Sequence, residues 1–350
     1  MAKKQEESYP SYSELAKKLK TDGPGRLYLL WGEEDYLVSA FAAEVEKLCV
    51  TESSADFDKK QIEGPVPDLN ELEDALRAMP FFGERTYVEV SKVEMTRCTD
   101  ARYQEILGDI PEWCTVVITL APDTAPNFTL KLSKMLRDKY TAHCFHPQEG
   151  AELYNWIRRR FQAQGKRIER PEIEHLVFIS GNLMTRLVQE INKICAYSSG
   201  DIIRKEDIDA VAHHLPEADV FEMTELLSSG NVDKAAALFA DLLASDSDPG
   251  APIKILAAMA GQYRGLYAVS LANKKGLGPD FIKKATGKPD FVVKKLQKVA
   301  KAYRLKDLRR AVLLMAQTDY RMKGGDAAAG EDPREALGDL FLRLALMTHA

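Results

Sequence analysis

The strongest constraint on this chain is a change of period at Pro147. Before that point, short β-like runs alternate with helical segments; after it, the helical period persists and the β signal stops. The run Arg26-Leu27-Tyr28-Leu29-Leu30-Trp31 reads as a strand ending at Gly32. Glu33 to Leu48 follows as a helix, with Leu37, Phe41, Val45 and Leu48 at helical spacing and acids in the first turn. Phe57 to Ile62 reads as a second strand, and Leu69 to Met79 as an amphipathic helix with Leu72, Ala75, Leu76 and Met79 on one face. Arg85 to Val90 alternates, Cys114 to Leu120 is the continuous apolar run of a buried central strand, and Thr129 to Tyr140 is a helix before a last strand at Thr141 to His146. Strand alternating with helix implies a parallel sheet covered on both faces.

Beyond Pro147 the pattern predicts helices over Glu149 to Gln164, Pro171 to Ile179, Leu183 to Tyr197 and Lys205 to His213, ended by Pro216. The remainder is again helical, interrupted at Ser228-Ser229-Gly230, Ser245 to Gly250, Gly276 to Pro279, Gly287 to Pro289 and Gly324 to Gly330. The expected architecture is α/β plus all-α, in three parts: 1–146, 147–216 and 217–350. A length of 350 residues suits two or three domains.

Charge is unevenly distributed. The whole chain carries 48 Lys and Arg against 53 Asp and Glu, a formal net charge of −5, which argues against a dedicated nucleic-acid binder. Ala251 to Gly325, however, holds 17 basic and 4 acidic residues, so a +13 block sits in a −18 background. The longest apolar runs, such as Ala311 to Ala316, are far too short to span a membrane. Met1 to Ser8 has basic residues with no apolar stretch behind them, so it reads as a frayed start and not as a secretory signal. The five cysteines, Cys49, Cys98, Cys114, Cys144 and Cys195, are scattered, with no zinc or redox spacing, as expected of reduced thiols in the cytosol. His143, Cys144 and His146 lack the further ligands that a metal site requires, and no metal is expected.

The turn after the first strand is where a phosphate-binding loop would lie. Such a loop needs several glycines, a Lys and a Ser or Thr. Gly32-Glu33-Glu34-Asp35-Tyr36-Leu37-Val38-Ser39 has one glycine, no Lys-Ser/Thr pair and three consecutive carboxylates. Those acids suit a helix N-terminus and repel a triphosphate. Glu89 stands alone on its strand and Thr115 to Leu120 has no acid, so nothing is placed to hold a metal. The expectation is a nucleotide-binding type of fold without nucleotide chemistry: no cofactor, and ATP not bound by this chain.

Several separated stretches, in this order, resemble the delta subunit family of the bacterial DNA polymerase III clamp loader. They are Tyr28 to Leu37 (YLLWGEEDYL), Ala78 to Arg85 (AMPFFGER), Gly181 to Lys193 (GNLMTRLVQEINK) and Pro289 to Leu296 (PDFVVKKL). Each is weak alone, and together they span most of the chain. The resemblance implies an ATPase-like (AAA+ type) domain, a small helical lid and a helical collar for oligomerisation. It implies a replication protein that binds and opens the ring-shaped beta sliding clamp for loading onto primed DNA while other subunits hydrolyse ATP. The chain would then be no enzyme by itself but a component of a DNA-directed DNA polymerase holoenzyme. Its partners would be the clamp, the other clamp-loader subunits and primer-template DNA, in the cytoplasmic, nucleoid-associated replisome. The rival readings are a catalytically active AAA+ loader ATPase and a plain DNA-binding module.

Two segments are candidates for contact. In Met79-Pro80-Phe81-Phe82-Gly83, Pro80 blocks the helix and Gly83 releases the chain toward the next strand. Two adjacent aromatics in so short a connection cannot both enter one core. By spacing alone, at least one projects outward, and Phe81 or Phe82 either caps the sheet end or serves as a contact. The resemblance implies that Phe81 and Phe82, with Met79, enter a pocket on the clamp. In the helix beginning at Pro289, Val292, Val293, Leu296, Val299, Ala300 and Tyr303 share an arc of ~120°. Lys294, Lys295, Lys298 and Lys301 lie opposite, with Phe291 among them. That face suits single-stranded DNA, or it is a solvated lysine face with Phe291 against a neighbouring subunit. In the next helix Asp319 falls on the stripe of Leu308, Val312 and Met315 and, if buried, needs a partner such as Arg264.

Overall fold

A computed structural model describes residues 9–245, 248–325 and 332–347. The frayed start expected at Met1 to Ser8, and parts of the breaks expected at Ser245 to Gly250 and Gly324 to Gly330, lie outside the described residues. The chain divides into two units: residues 1–148 with 183–185, and residues 149–182 with 186–350.

The first unit runs α1 (Tyr12–Asp22), β1 (Leu27–Gly32), α2 (Asp35–Cys49), α3 (Ala55–Asp58), β2 (Lys59–Glu63), α4 (Leu69–Arg77), β3 (Thr86–Val93), α5 (Arg102–Gly108), β4 (Cys114–Leu120), α6 (Lys131–Lys139) and β5 (Thr141–Phe145). Helix α1 starts at a capping box, the Ser11 hydroxyl accepting from the Glu14 N–H while the Glu14 carboxylate accepts from the Ser11 N–H. The strands form one parallel sheet in the order β2-β3-β4-β1-β5. Strand alternation divides the core in two. Leu27, Leu29 and Trp31 face Leu72 and Leu76 of α4, Ile106 of α5 and Leu136 of α6. On the other face, Tyr28 meets Phe41 of α2 edge-on, and the Tyr87 hydroxyl donates to the Ala42 carbonyl. Gly32 is required where β1 ends. Its φ is +138°, and a Cβ there would come within 2.0 Å of the Phe145 carbonyl oxygen.

Three expectations for this unit need correction. Phe57 does not open a strand; it lies exposed in α3, and β2 begins two residues later. Helix α4 stops at Arg77, and Met79, expected on its apolar face, is 74% exposed. In α2 the buried stripe ends on Cys49, and Leu48 faces solvent.

The second unit contains α7 (Gly150–Ala163), β6 (Arg167–Ile168), α8 (Arg170–Ser180), most of α9 (Met184–Tyr197), β7 (Ile202–Ile203), α10 (Lys205–Val211), α11 (Pro216–Ser228), α12 (Val232–Ser245), α13 (Ala251–Lys274), α14 (Pro279–Thr286), α15 (Asp290–Ala300), α16 (Leu305–Met322) and α17 (Pro333–Met347). The β signal does not stop completely at Pro147, because β6 and β7 pair in parallel over two residues. Helix α13 is the axis of the larger core. It buries residues around most of its circumference and packs against α11, α14, α15, α16 and α17. At Gly265 a Cβ would sit 3.2 Å from a Leu296 methyl group, so glycine there lets α15 lie close. Asp319 is not a buried acid of α16. Thr318 takes the buried position, and the half-exposed Asp319 pairs with Lys323 at 2.8 Å, one turn on, and not with Arg264.

Candidate docking loop

Residues 78–85 connect α4 to β3 and are fixed at both ends. The Trp113 indole N–H donates to the Ala78 carbonyl at 3.2 Å, and the Thr86 N–H donates to the Trp113 carbonyl at 2.8 Å. Between these anchors, Met79, Phe81 and Phe82 are 74%, 71% and 63% exposed. Spacing requires at least one of the two phenylalanines to project outward, and here both do. Asp58 holds the loop backbone from the side. Its carboxylate accepts the N–H of Phe81 at 2.5 Å, Phe82 at 3.1 Å and Gly83 at 2.9 Å. Sheet topology explains the meeting: β2 and β3 are parallel neighbours with Lys59 beside Tyr87, so the residues entering each strand gather at one end of the sheet. Desolvation pushes the Asp58 carboxyl up, but the three backbone donors outweigh it and hold it below the usual range. Phe57, next to Asp58, completes an aromatic cluster: it stacks on Phe81 at 5.5 Å between centroids and meets Phe82 edge-on at 5.2 Å, while Phe81 and Phe82 are 4.7 Å apart. Phe57 and Asp58 were not found by sequence reasoning; an acid preceding an edge strand signals nothing until the strands are paired.

The basic helix α15 differs from expectation in two places. Phe291 is not an exposed platform; it is partly buried and packs against the helical core. Lys295 is half-buried, with its ammonium 4.0 Å above the Phe178 ring, and desolvation lowers its pKa. Lys298 is exposed but pairs with Glu225 at 2.9 Å. Lys294 and Lys301 face solvent.

At the turn after β1, the three acids do different things. Asp35 lies in the first turn of α2, where the helix dipole favours it. Glu34 turns inward and is fully buried. One carboxylate oxygen accepts the Met184 N–H at 3.0 Å, at the start of α9 and within the first unit. The other has no hydrogen-bond partner among the described residues, and burial raises the pKa of the group against the pull of its backbone donors. A groove of about 380 Å³ beside α2 is lined by Asp35, Glu46 and Glu89 with Lys92, an acid-rich wall unsuited to phosphate. The described residues hold no group of three or more metal-ligating side chains, and none of their helices is long and apolar enough to cross a membrane.

A five-stranded parallel sheet of this order, with its helical continuation, is the ATPase-like (AAA+ type) architecture. Two family models match: "DNA polymerase III, delta subunit" over residues 28–145 and "DNA polymerase III delta subunit, C-terminal domain" over residues 217–330. The DNA polymerase III subunit delta of Bacillus subtilis is 24% identical over 341 residues, covering 93% of this chain and 94% of that protein. A probable subunit delta from Aquifex aeolicus is 25% identical over 166 residues, 47% of each chain. The solved structure of the Bacillus subtilis DNA clamp loader delta protein superposes with a TM-score of 0.52 at 21% identity, over 96% of this chain and 100% of that one. The chain belongs to the DNA polymerase III delta subunit family, the clamp-loader component of DNA replication.

Proposed function

We propose that this chain binds the beta sliding clamp through Phe81 and Phe82, with Met79 beside them, and favours its opened form. The observation that carries this reading is the exposure of two large aromatic side chains on a loop whose backbone is tied down. Exposed aromatics on a rigid support are suited to be anchors for a concave apolar pocket, each worth ~2–4 kcal/mol. If the loop fits a distorted clamp interface better than the closed one, that differential affinity offsets part of the cost of opening. Opening then requires no nucleotide chemistry in this chain, and hydrolysis belongs to other clamp-loader subunits. The acid-rich groove beside α2 supports that division, since it disfavours phosphate.

In the same reading, residues 147–216 serve as the lid and 217–350 as the collar that joins sister subunits. Primer-template DNA meets the positive block through exposed lysines such as Lys294 and Lys301, and the complex works in the cytoplasmic, nucleoid-associated replisome. The test is to mix the chain with the organism's sliding clamp without ATP and measure complex formation by gel filtration and calorimetry. A complex is expected. Failure to bind would overturn the reading. ATP binding by the isolated chain would revive an active ATPase, and tight, salt-sensitive DNA binding without partners would favour a plain DNA-binding module.

A further inference from the structure

We propose that Asp58 is a positioning residue for clamp binding, holding the Phe81–Phe82 loop in its binding-ready form before any partner arrives. This rests on the reading of that loop as the surface that meets the clamp. The geometry is unusual for a surface acid. Asp58 is 1% exposed, and its two oxygens accept three successive backbone N–H groups, at 2.5, 3.1 and 2.9 Å. Successive amides converging on one carboxylate form an anion-binding concavity, here filled by the chain's own side chain. The four-residue α3 does not itself require an acid at its last residue.

Gly83 fits the same arrangement. A Cβ there would stand 3.3 Å from an Asp58 carboxylate oxygen, close enough that the carboxylate would have to give by a few tenths of an ångström. Phe57, adjacent in the chain, reaches the rings of the same two residues whose amides Asp58 holds. One short segment therefore restrains both the backbone and the side chains of the loop. Without it, two exposed phenylalanines would sample many arrangements, collapse against nearby apolar surface, and incur the ordering cost on binding.

The discriminating variant is Asp58→Asn, which is isosteric but has a single acceptor oxygen and turns N–H donors toward N–H donors. Two measurements on the full chain decide the matter. Hydrogen exchange of the Phe81, Phe82 and Gly83 amides should be protected in the parent and accelerate by about tenfold or more in the variant, with exchange in β1 and β4 unchanged. Clamp affinity by calorimetry should fall by about tenfold, the cost of ordering a freed loop. In a Phe81→Ala background the same change should cost clearly less, since a positioning residue acts through the ring it positions.

Unchanged amide protection in Asp58→Asn would overturn the proposal. So would faster exchange with parental clamp affinity, or effects of Asp58→Asn and Phe81→Ala that simply add. Parental clamp affinity in the Phe81→Ala, Phe82→Ala double variant would instead overturn the clamp reading and with it the role of Asp58 in binding; the exchange measurement would still decide whether Asp58 orders the loop.

Discussion

Replacing Phe81 and Phe82 together by alanine is the most direct test of the docking loop, and the structure sets its size. A phenylalanine side chain offers on the order of 200 Å² for burial. With 71% and 63% of the two residues exposed, roughly 270 Å² of apolar surface is available to a partner. At about 25 cal/mol per Å² the upper limit is roughly 6–7 kcal/mol. Incomplete burial and the ordering of two side chains bring a realistic loss to about 4 kcal/mol, or roughly a thousandfold in affinity. The fold should not notice. Neither ring enters the sheet core, so the substitution removes only ring packing within the exposed aromatic cluster, and the melting temperature should move by no more than about 2 °C. Calorimetry of the variant against the sliding clamp measures the first quantity and thermal denaturation the second. An affinity within threefold of the parent, with melting unchanged, would refute the anchor argument. A large drop in melting temperature would refute the claim that these rings are available.

Other consequences can be checked separately. Gly32→Ala should destabilise the first unit by about 3 kcal/mol or more in chemical denaturation, because the new methyl meets the Phe145 carbonyl at 2.0 Å from a backbone with φ +138°. The His214 Nδ1–H donates a hydrogen bond to the Asp219 carboxylate at 2.9 Å, and that bond, ahead of the opposing desolvation, raises its pKa above 6.5. The stabilisation is fully present below pH 6.5 and is lost as pH rises through the raised value, so Asp219→Asn should flatten that part of the stability profile, a change under about 1 kcal/mol at so partly exposed a pair. Lys294→Ala with Lys301→Ala should weaken primed-DNA binding by the assembled loader and reduce the salt slope by about 1 for each phosphate left without its lysine; Lys298→Ala, already paired with Glu225, should do less. An unchanged slope would place these lysines in solvent.

Periodicity alone exposed much of the fold. The runs at Leu27–Gly32 and Cys114–Leu120 are short, continuous and apolar, as strands of a sheet buried on both faces are, and the stripe of Val292, Val293, Leu296 and Val299 is buried as its spacing requires. The failures share a cause. Phe291 lies on the polar arc of α15, yet neighbouring helices leave room for its ring against the core. Lys295 shares the lysine face, yet its long stem carries the ammonium over Phe178. Spacing assigns an azimuth on one helix, and burial depends on what stands opposite.

The docking loop shows the same division. Pro80, two aromatics and Gly83 in one short connection determine by themselves that the helix stops and that a bulky apolar pair cannot be absorbed into one core. Local sterics act over a few residues, so local sequence carries them. That Asp58 grips the loop and Phe57 lies against its rings was decided only by the pairing of β2 with β3. These residues are more than twenty positions from the loop, and parallel pairing across an intervening helix is a long-range choice governed by the whole core. Charge follows the same rule: the +13 block is plain in the sequence, but packing decides which of its lysines remain free to meet a partner.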